Sequence, residues 1–151
     1  MKKVFLFIIV AFSFQAFANP YSKLDQALEM ALKSEKRNGI SSKGKRCEVR
    51  KSGANVMVID KSVGCTGPEN TINIECLSQF LYNQSAENMS IKELEISQNQ
   101  IIAEIKSKDT EEYTSAVTGK IEVEIGNKTF VRVSSKKKLL GGYKRVLDCI
   151  I

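Results

Sequence analysis

The sequence predicts an α+β domain: an N-terminal amphipathic helix packed on an antiparallel meander sheet of six or seven strands, with two disulfides. Three observations carry this reading. A single apolar stripe at helical spacing lies near the N-terminus. From residue 45 onward the pattern changes to period two, broken by short turn signals. Four cysteines stand in a chain that begins like an exported one.

Residues 1–18, MKKVFLFIIVAFSFQAFA, hold Lys2 and Lys3, an apolar run from Val4 to Phe12, and Ala16-Phe17-Ala18. These are the three parts of a bacterial-type secretory signal peptide. Ser13 and Gln15 break the apolar run well short of the roughly twenty residues that span a bilayer. Residues 19–151 are then one exported domain, periplasmic or secreted.

Residues 22–37 form the expected helix, with Leu24, Ala27, Leu28, Ala31 and Leu32 on one face. Ser22 is its expected cap and Asn38-Gly39 its stop. Arg46 to Arg50 reads as a strand with Cys47 and Val49 on one face. Val56 to Ile59 is apolar on both faces and reads as a central strand. A loop follows from Asp60 to Asn70, and residues 71–77 suit either a strand or a helical turn. Residues 90–106 have two readings. Ser90 and Glu93 match a helical capping box, while ELEIS and IIAEIK flank a turn at Gln98-Asn99-Gln100 as a hairpin would; the hairpin is preferred. Residues 119–134 make a firmer hairpin. A two-residue turn would oppose Val131 to Glu122, whereas a loop of Gly126, Asn127 and Lys128 opposes Val131 to Val123 and Val133 to Ile121. The last strand is Tyr143 to Ile150. The sheet either stays open or curls toward a small barrel.

The cysteines are Cys47, Cys65, Cys76 and Cys149. Neither a zinc site nor a redox pair is expected, because there is no Cys-x-x-Cys and no histidine. Cys65–Cys76 would close a short loop rich in turn residues. Cys47–Cys149 would tie the first strand to the last, closing a loop of about a hundred residues with roughly 4–5 kcal/mol of chain-entropy stabilisation.

Absences narrow the chemistry. Without histidine, Ser-His-Asp and Cys-His catalysis cannot operate. Gly141-Gly142 lacks the spacing of a phosphate-binding loop. Glu93, Glu95, Glu122 and Glu124 alternate with apolar residues, which places them on a solvated face rather than in a paired-carboxylate site. No metal or cofactor is expected, and the protein reads as a non-enzyme.

Charge is segregated. Residues 19–68 carry a net +5, residues 69–126 a net −7 and residues 127–151 a net +6. Two basic clusters stand out: Lys43, Lys45, Arg46, Arg50 and Lys51, and Lys136, Lys137, Lys138, Lys144 and Arg145. If the first and last strands are neighbours, the clusters merge into one anion-binding patch. The expected function is a non-enzymatic binding module for an acidic envelope glycan, a lipid headgroup or an acidic protein. Nucleic acid is a weaker candidate, since Tyr143 is the one aromatic beside the lysines. The competing expectation is a small hydrolase or inhibitor with a cavity between helix and sheet. An interior filled by Leu28, Leu32, Val58 and Val131 would remove it.

Overall fold

The computed structural model describes residues 19–65, 67, 73–85, 87–107, 116–138 and 143–151, with the backbone alone at 74, 116–118, 137, 138 and 143. The leader expected at 1–18 lies outside the described residues, as do Gly141, Gly142 and most of the segment between Cys65 and Asn73.

Helix α1 runs from Pro20 to Leu32. The Asn19 side chain accepts the Tyr21 N–H at 3.0 Å and caps it. Pro20 sits at the first helical position, where a missing N–H costs nothing. The predicted stripe of Leu24, Ala27, Leu28, Ala31 and Leu32 is buried. The boundaries differ from expectation: the cap is Asn19 instead of Ser22, and the chain leaves helical geometry at Lys33, whose φ is 57°. Residues 33–37 add no apolar side chain to the stripe, so a further turn would bury nothing. Extended, the same segment gains a ladder of backbone hydrogen bonds and becomes strand β1, Lys36–Ile40.

The chain continues through β2 (Arg46–Ser52) and β3 (Asn55–Asp60). A single 3-10 turn at Ile74–Cys76 then leads into β4 (Leu77–Phe80). After these come β5 (Met89–Ile96), β6 (Gln100–Ser107), β7 (Ala116–Ile125), β8 (Thr129–Lys138) and β9 (Tyr143–Ile150). All neighbours are antiparallel and the order across the sheet is β4-β3-β2-β1-β9-β8-β7-β6-β5. Among the described residues the sheet therefore has nine strands, more than the six or seven expected. β1 lay hidden in the polar tail of the predicted helix, and β4 is too short to show a period.

Two meanders, β1–β4 and β5–β9, meet where β1 touches β9 at one residue pair, Ile40 and Ile150. Among the described residues the sheet does not close into a barrel; β4 and β5 are its outer strands. It folds over at the joint instead, so that β4 packs across β7, β8 and β9. Ser78 pins this contact by donating to the Val133 carbonyl at 2.8 Å. Helix α1 covers β5 and β6. Phe80, Val56 and Val58 from one meander, Ile121, Val123, Val131 and Val133 from the other, and the helix stripe form one buried core.

Both expected disulfides are present, Cys47–Cys149 and Cys65–Cys76, with sequence separations of 102 and 11. The first joins β2 to β9 over Gly39. A Cβ on Gly39 would lie 2.9 Å from Cys149 Sγ and collide with the Ile150 carbonyl oxygen, so only glycine fits between the bridge and the joint. Two disulfides are typical of proteins from oxidising, extracellular compartments.

The β7–β8 hairpin has the predicted register, with Val131 opposite Val123, Val133 opposite Ile121 and Arg132 opposite Glu122. Residues 90–106 form a hairpin, not a helix. Ile101, Ala103 and Ile105 alternate onto the core face of β6 and are buried there, which a helical phase would not achieve. Its loop sits one residue earlier than expected, because Gln100 already belongs to β6. Among the described residues, no helix is long and apolar enough to cross a membrane.

Candidate functional site

Of the two predicted basic clusters, the cations on β2 are set apart from those on β8 and β9, whereas Lys43 and Lys45, on the 41–45 turn, line a cleft together with β9 residues. β1 lies between β2 and β9, and Lys144 is six residues from the Ile150 joint, about 20 Å along an extended strand. The clusters are also divided internally. Lys51 shares the inward phase of Cys47 and Val49 and is buried. Its Nζ lies 3.0 Å from Asp25 Oδ1 and 2.7 Å from Glu29 Oε2, which ties β2 to α1. Burial alone would lower the Lys51 pKa, but the hydrogen bonds and charges of Glu29 and Asp25 outweigh it and raise the value. Lys51 is thus a structural anchor. Lys45 lies 3.7 Å from Asp60. In the second cluster Lys136 stands opposite Lys144, while Arg145 pairs with Ser135 on the other face. The side chains of Lys137, Lys138 and Tyr143 lie outside the described residues.

A different grouping emerges on the outer face of β1–β3. Period-two alternation turns Arg46, Glu48 and Arg50 away from the core. The register then brings Lys36 beside Arg50, Asn38 beside Glu48 and Ile40 beside Arg46, with Ile59 of β3 on the other flank of Glu48. Glu48 is fully buried and lies at the centre of three cations. Arg50 Nε donates to Glu48 Oε1. Lys61 Nζ is 3.1 Å and Lys36 Nζ 3.5 Å from Glu48 Oε2. A carboxylate out of water stays charged only when it is paired and hydrogen-bonded, and this one is. Burial by itself would raise its pKa; the hydrogen bonds and charges of Arg50 and Lys61 overcome that and hold it below the usual carboxylate value.

One carboxylate against Lys36, Arg46, Arg50 and Lys61 leaves this face at a net +3. Arg50 is gripped through Nε, so its two terminal nitrogens have no partner among the described residues. The Arg46 side chain is exposed and has none either. Lys36 and Lys61 were absent from the sequence-level clusters. The signal for Lys61 is weak, since it follows the end of β3, and Lys36 falls in the polar tail of the predicted helix.

Beside this face, the turn at residues 41–45 overhangs β9. The Ser42 N–H and Oγ donate to the two Asp148 carboxylate oxygens at 2.8 and 2.5 Å. A cleft of about 250 Å³ lies there, rimmed by Lys43, Lys45 and Arg46 and walled by Val58 and Leu147. Asp60 lines it too. Burial would raise the Asp60 pKa, but hydrogen bonds from Ser62 and the charge of Lys45 lower it.

On the other meander, Glu93 and Glu122 flank Lys120 at 3.8 and 3.5 Å, and Arg132 is 3.8 Å from Glu122. These are half-exposed surface pairs that contribute little to stability. The space between helix and sheet is filled: Leu28, Leu32, Val58 and Val131 are all buried in the core. These four residues occupy the place at which a hydrolase or inhibitor cavity was expected. Compared with protein-family models, with curated proteins and with solved structures, the chain shows no match.

Proposed function

We propose that the protein is a non-catalytic, exported binding module that takes an anionic partner on the outer face formed by Lys36, Arg46, Arg50 and Lys61. The observation that carries this reading is the buried Glu48. A solvated basic surface has mobile side chains, each of which loses rotamer freedom when it binds. Here Glu48 fixes Arg50, Lys61 and Lys36 in advance, yet neutralises only one of their charges. The terminal nitrogens of Arg50, with Arg46 nearby, offer the planar, forked geometry that matches carboxylate, sulfate or phosphate oxygens. An acidic envelope glycan, a lipid headgroup or an acidic protein supplies such oxygens.

The test is elution from an immobilised sulfated polysaccharide in a salt gradient. Arg46→Glu and Lys128→Glu change net charge equally, but Lys128 is an exposed loop residue on the far meander. Arg46→Glu should elute at clearly lower salt than Lys128→Glu. Equal displacement of both would mean that net charge alone drives retention, and the face would lose its role.

A further inference from the structure

Among the described residues, the first half of β9 is an open sheet edge in the middle of the sheet order. Thr129 and Ile151 exchange both backbone hydrogen bonds, at 3.0 and 2.9 Å, which sets the phase of the β8–β9 ladder. Alternation then turns the N–H and C=O of Arg145, Leu147 and Cys149 toward β8. Those of Lys144, Val146, Asp148 and Ile150 point away from it. Ile150 finds Ile40. Beyond that pair β1 swings into the 41–45 turn, which grips the Asp148 side chain. Val146 and Lys144 are left without a backbone partner among the described residues, and Val146 is 46% exposed.

Edge lysines commonly keep one sheet from pairing with another, and Lys144 with Lys136 opposite it has that effect on a neutral or basic strand. The same two charges favour an acidic strand. The cleft behind the edge is lined by the apolar Val58 and Leu147 and by Lys43, Lys45 and Arg46; its two carboxylates are already engaged, Asp60 with Lys45 and Asp148 with Ser42. At about 250 Å³ it is smaller than the ~300–1,000 Å³ typical of small-molecule sites, and it suits side chains delivered by an extended chain.

We propose that this edge binds an extended acidic polypeptide segment by strand addition. The segment's backbone pairs with Val146 and Lys144, and its carboxylates face Lys136 and Lys144. The proposal stands independently of the Glu48 face.

Strand addition has a signature that simple charge attraction lacks. Residues opposed to Lys144 and Val146 in an antiparallel ladder share their face and direct their own N–H groups at β9. In a short capped peptide alternating threonine and glutamate, those residues are the glutamates. Binding would be measured by fluorescence anisotropy for the parent peptide, for a copy N-methylated at the glutamates and for a copy N-methylated at the threonines. Glutamate methylation should weaken binding roughly tenfold or more and threonine methylation should leave it unchanged. On the protein side, Val146→Pro deletes an N–H that faces away from β8, a change an edge tolerates. It should abolish binding while the melting temperature stays close to that of the parent. Lys144→Glu provides a second variant that leaves the backbone alone and should weaken binding as well. No binding of the parent peptide, equal binding of both methylated copies, or undiminished binding by Lys144→Glu would each overturn the proposal. Peptide binding that ignores methylation but is lost in Arg46→Glu would place the peptide on the Glu48 face instead.

Discussion

Replacing Glu48 by glutamine removes the charge at the centre of the cationic face while keeping its shape. The carboxylate accepts charge-assisted hydrogen bonds from Arg50 and Lys61, each contributing about 1.5–3 kcal/mol. Glutamine keeps one acceptor oxygen and turns an NH₂ donor on the remaining cations. Removing one partner of a fully buried ion pair costs about 3–5 kcal/mol. The cost is smaller here because the side chains of Lys36, Arg50 and Lys61 are 58%, 34% and 32% exposed and can turn to water. We expect Glu48→Gln to lose about 2 kcal/mol at pH 7, or about 6–10 °C in Tm for a domain of this size. The loss has a pH signature. Glu48 has a folded pKa below its ordinary value of 4.5, so its contribution is complete above that value and disappears as pH falls through the folded pKa. Urea midpoints of the parent and Glu48→Gln should therefore differ at pH 7 and converge toward pH 3. A variant as stable as the parent at pH 7, or a gap that persists unchanged at pH 3, would refute the organising role of Glu48.

Other perturbations probe the supports of that face. Removing the Cys47–Cys149 bridge by a double alanine substitution should cost about 5 kcal/mol, and removing Cys65–Cys76 about 3 kcal/mol, because their loops differ in length; separate chemical-denaturation series would show it. Gly39→Ala forces a methyl against the Ile150 carbonyl and the disulfide, and should destabilise by about 2–3 kcal/mol, with faster amide exchange near the β1–β9 joint. Lys51 has a raised pKa, so its contribution is intact below its ordinary value of 10.5 and fades as pH rises above it. Lys51→Met should cost about 1 kcal/mol at pH 7 and show a correspondingly smaller loss of stability on going to strongly alkaline solution.

The parts of the fold legible in the sequence are those where one face is buried and the period repeats. Ile121, Val123 and Ile125 can face Val133, Val131 and Thr129 in only one way without burying a glutamate, so the loop length followed. The helix body followed from its stripe. Its end did not, because KRNGI of β1 carries a single apolar residue and neither period is visible in it. The grouping of the basic residues is hidden in the sequence for a related reason. Neighbours in sequence on a strand point to opposite faces, so Arg50 and Lys51 are adjacent in the chain and unrelated in space. The alternation already assigned Lys51 to the face of Cys47 and Val49. What it lacked was the pairing of β1 with β2, which brings Lys36 to Arg50 and encloses Glu48.

The location of the anion site is tested by backbone amide chemical-shift mapping during titration with a sulfated oligosaccharide. The largest perturbations should fall at residues 36–40, 46–50 and 59–61, on and beside the three strands around Glu48. Perturbations concentrated at Lys128, Lys136 and Lys144, with residues 46–50 unmoved, would contradict it.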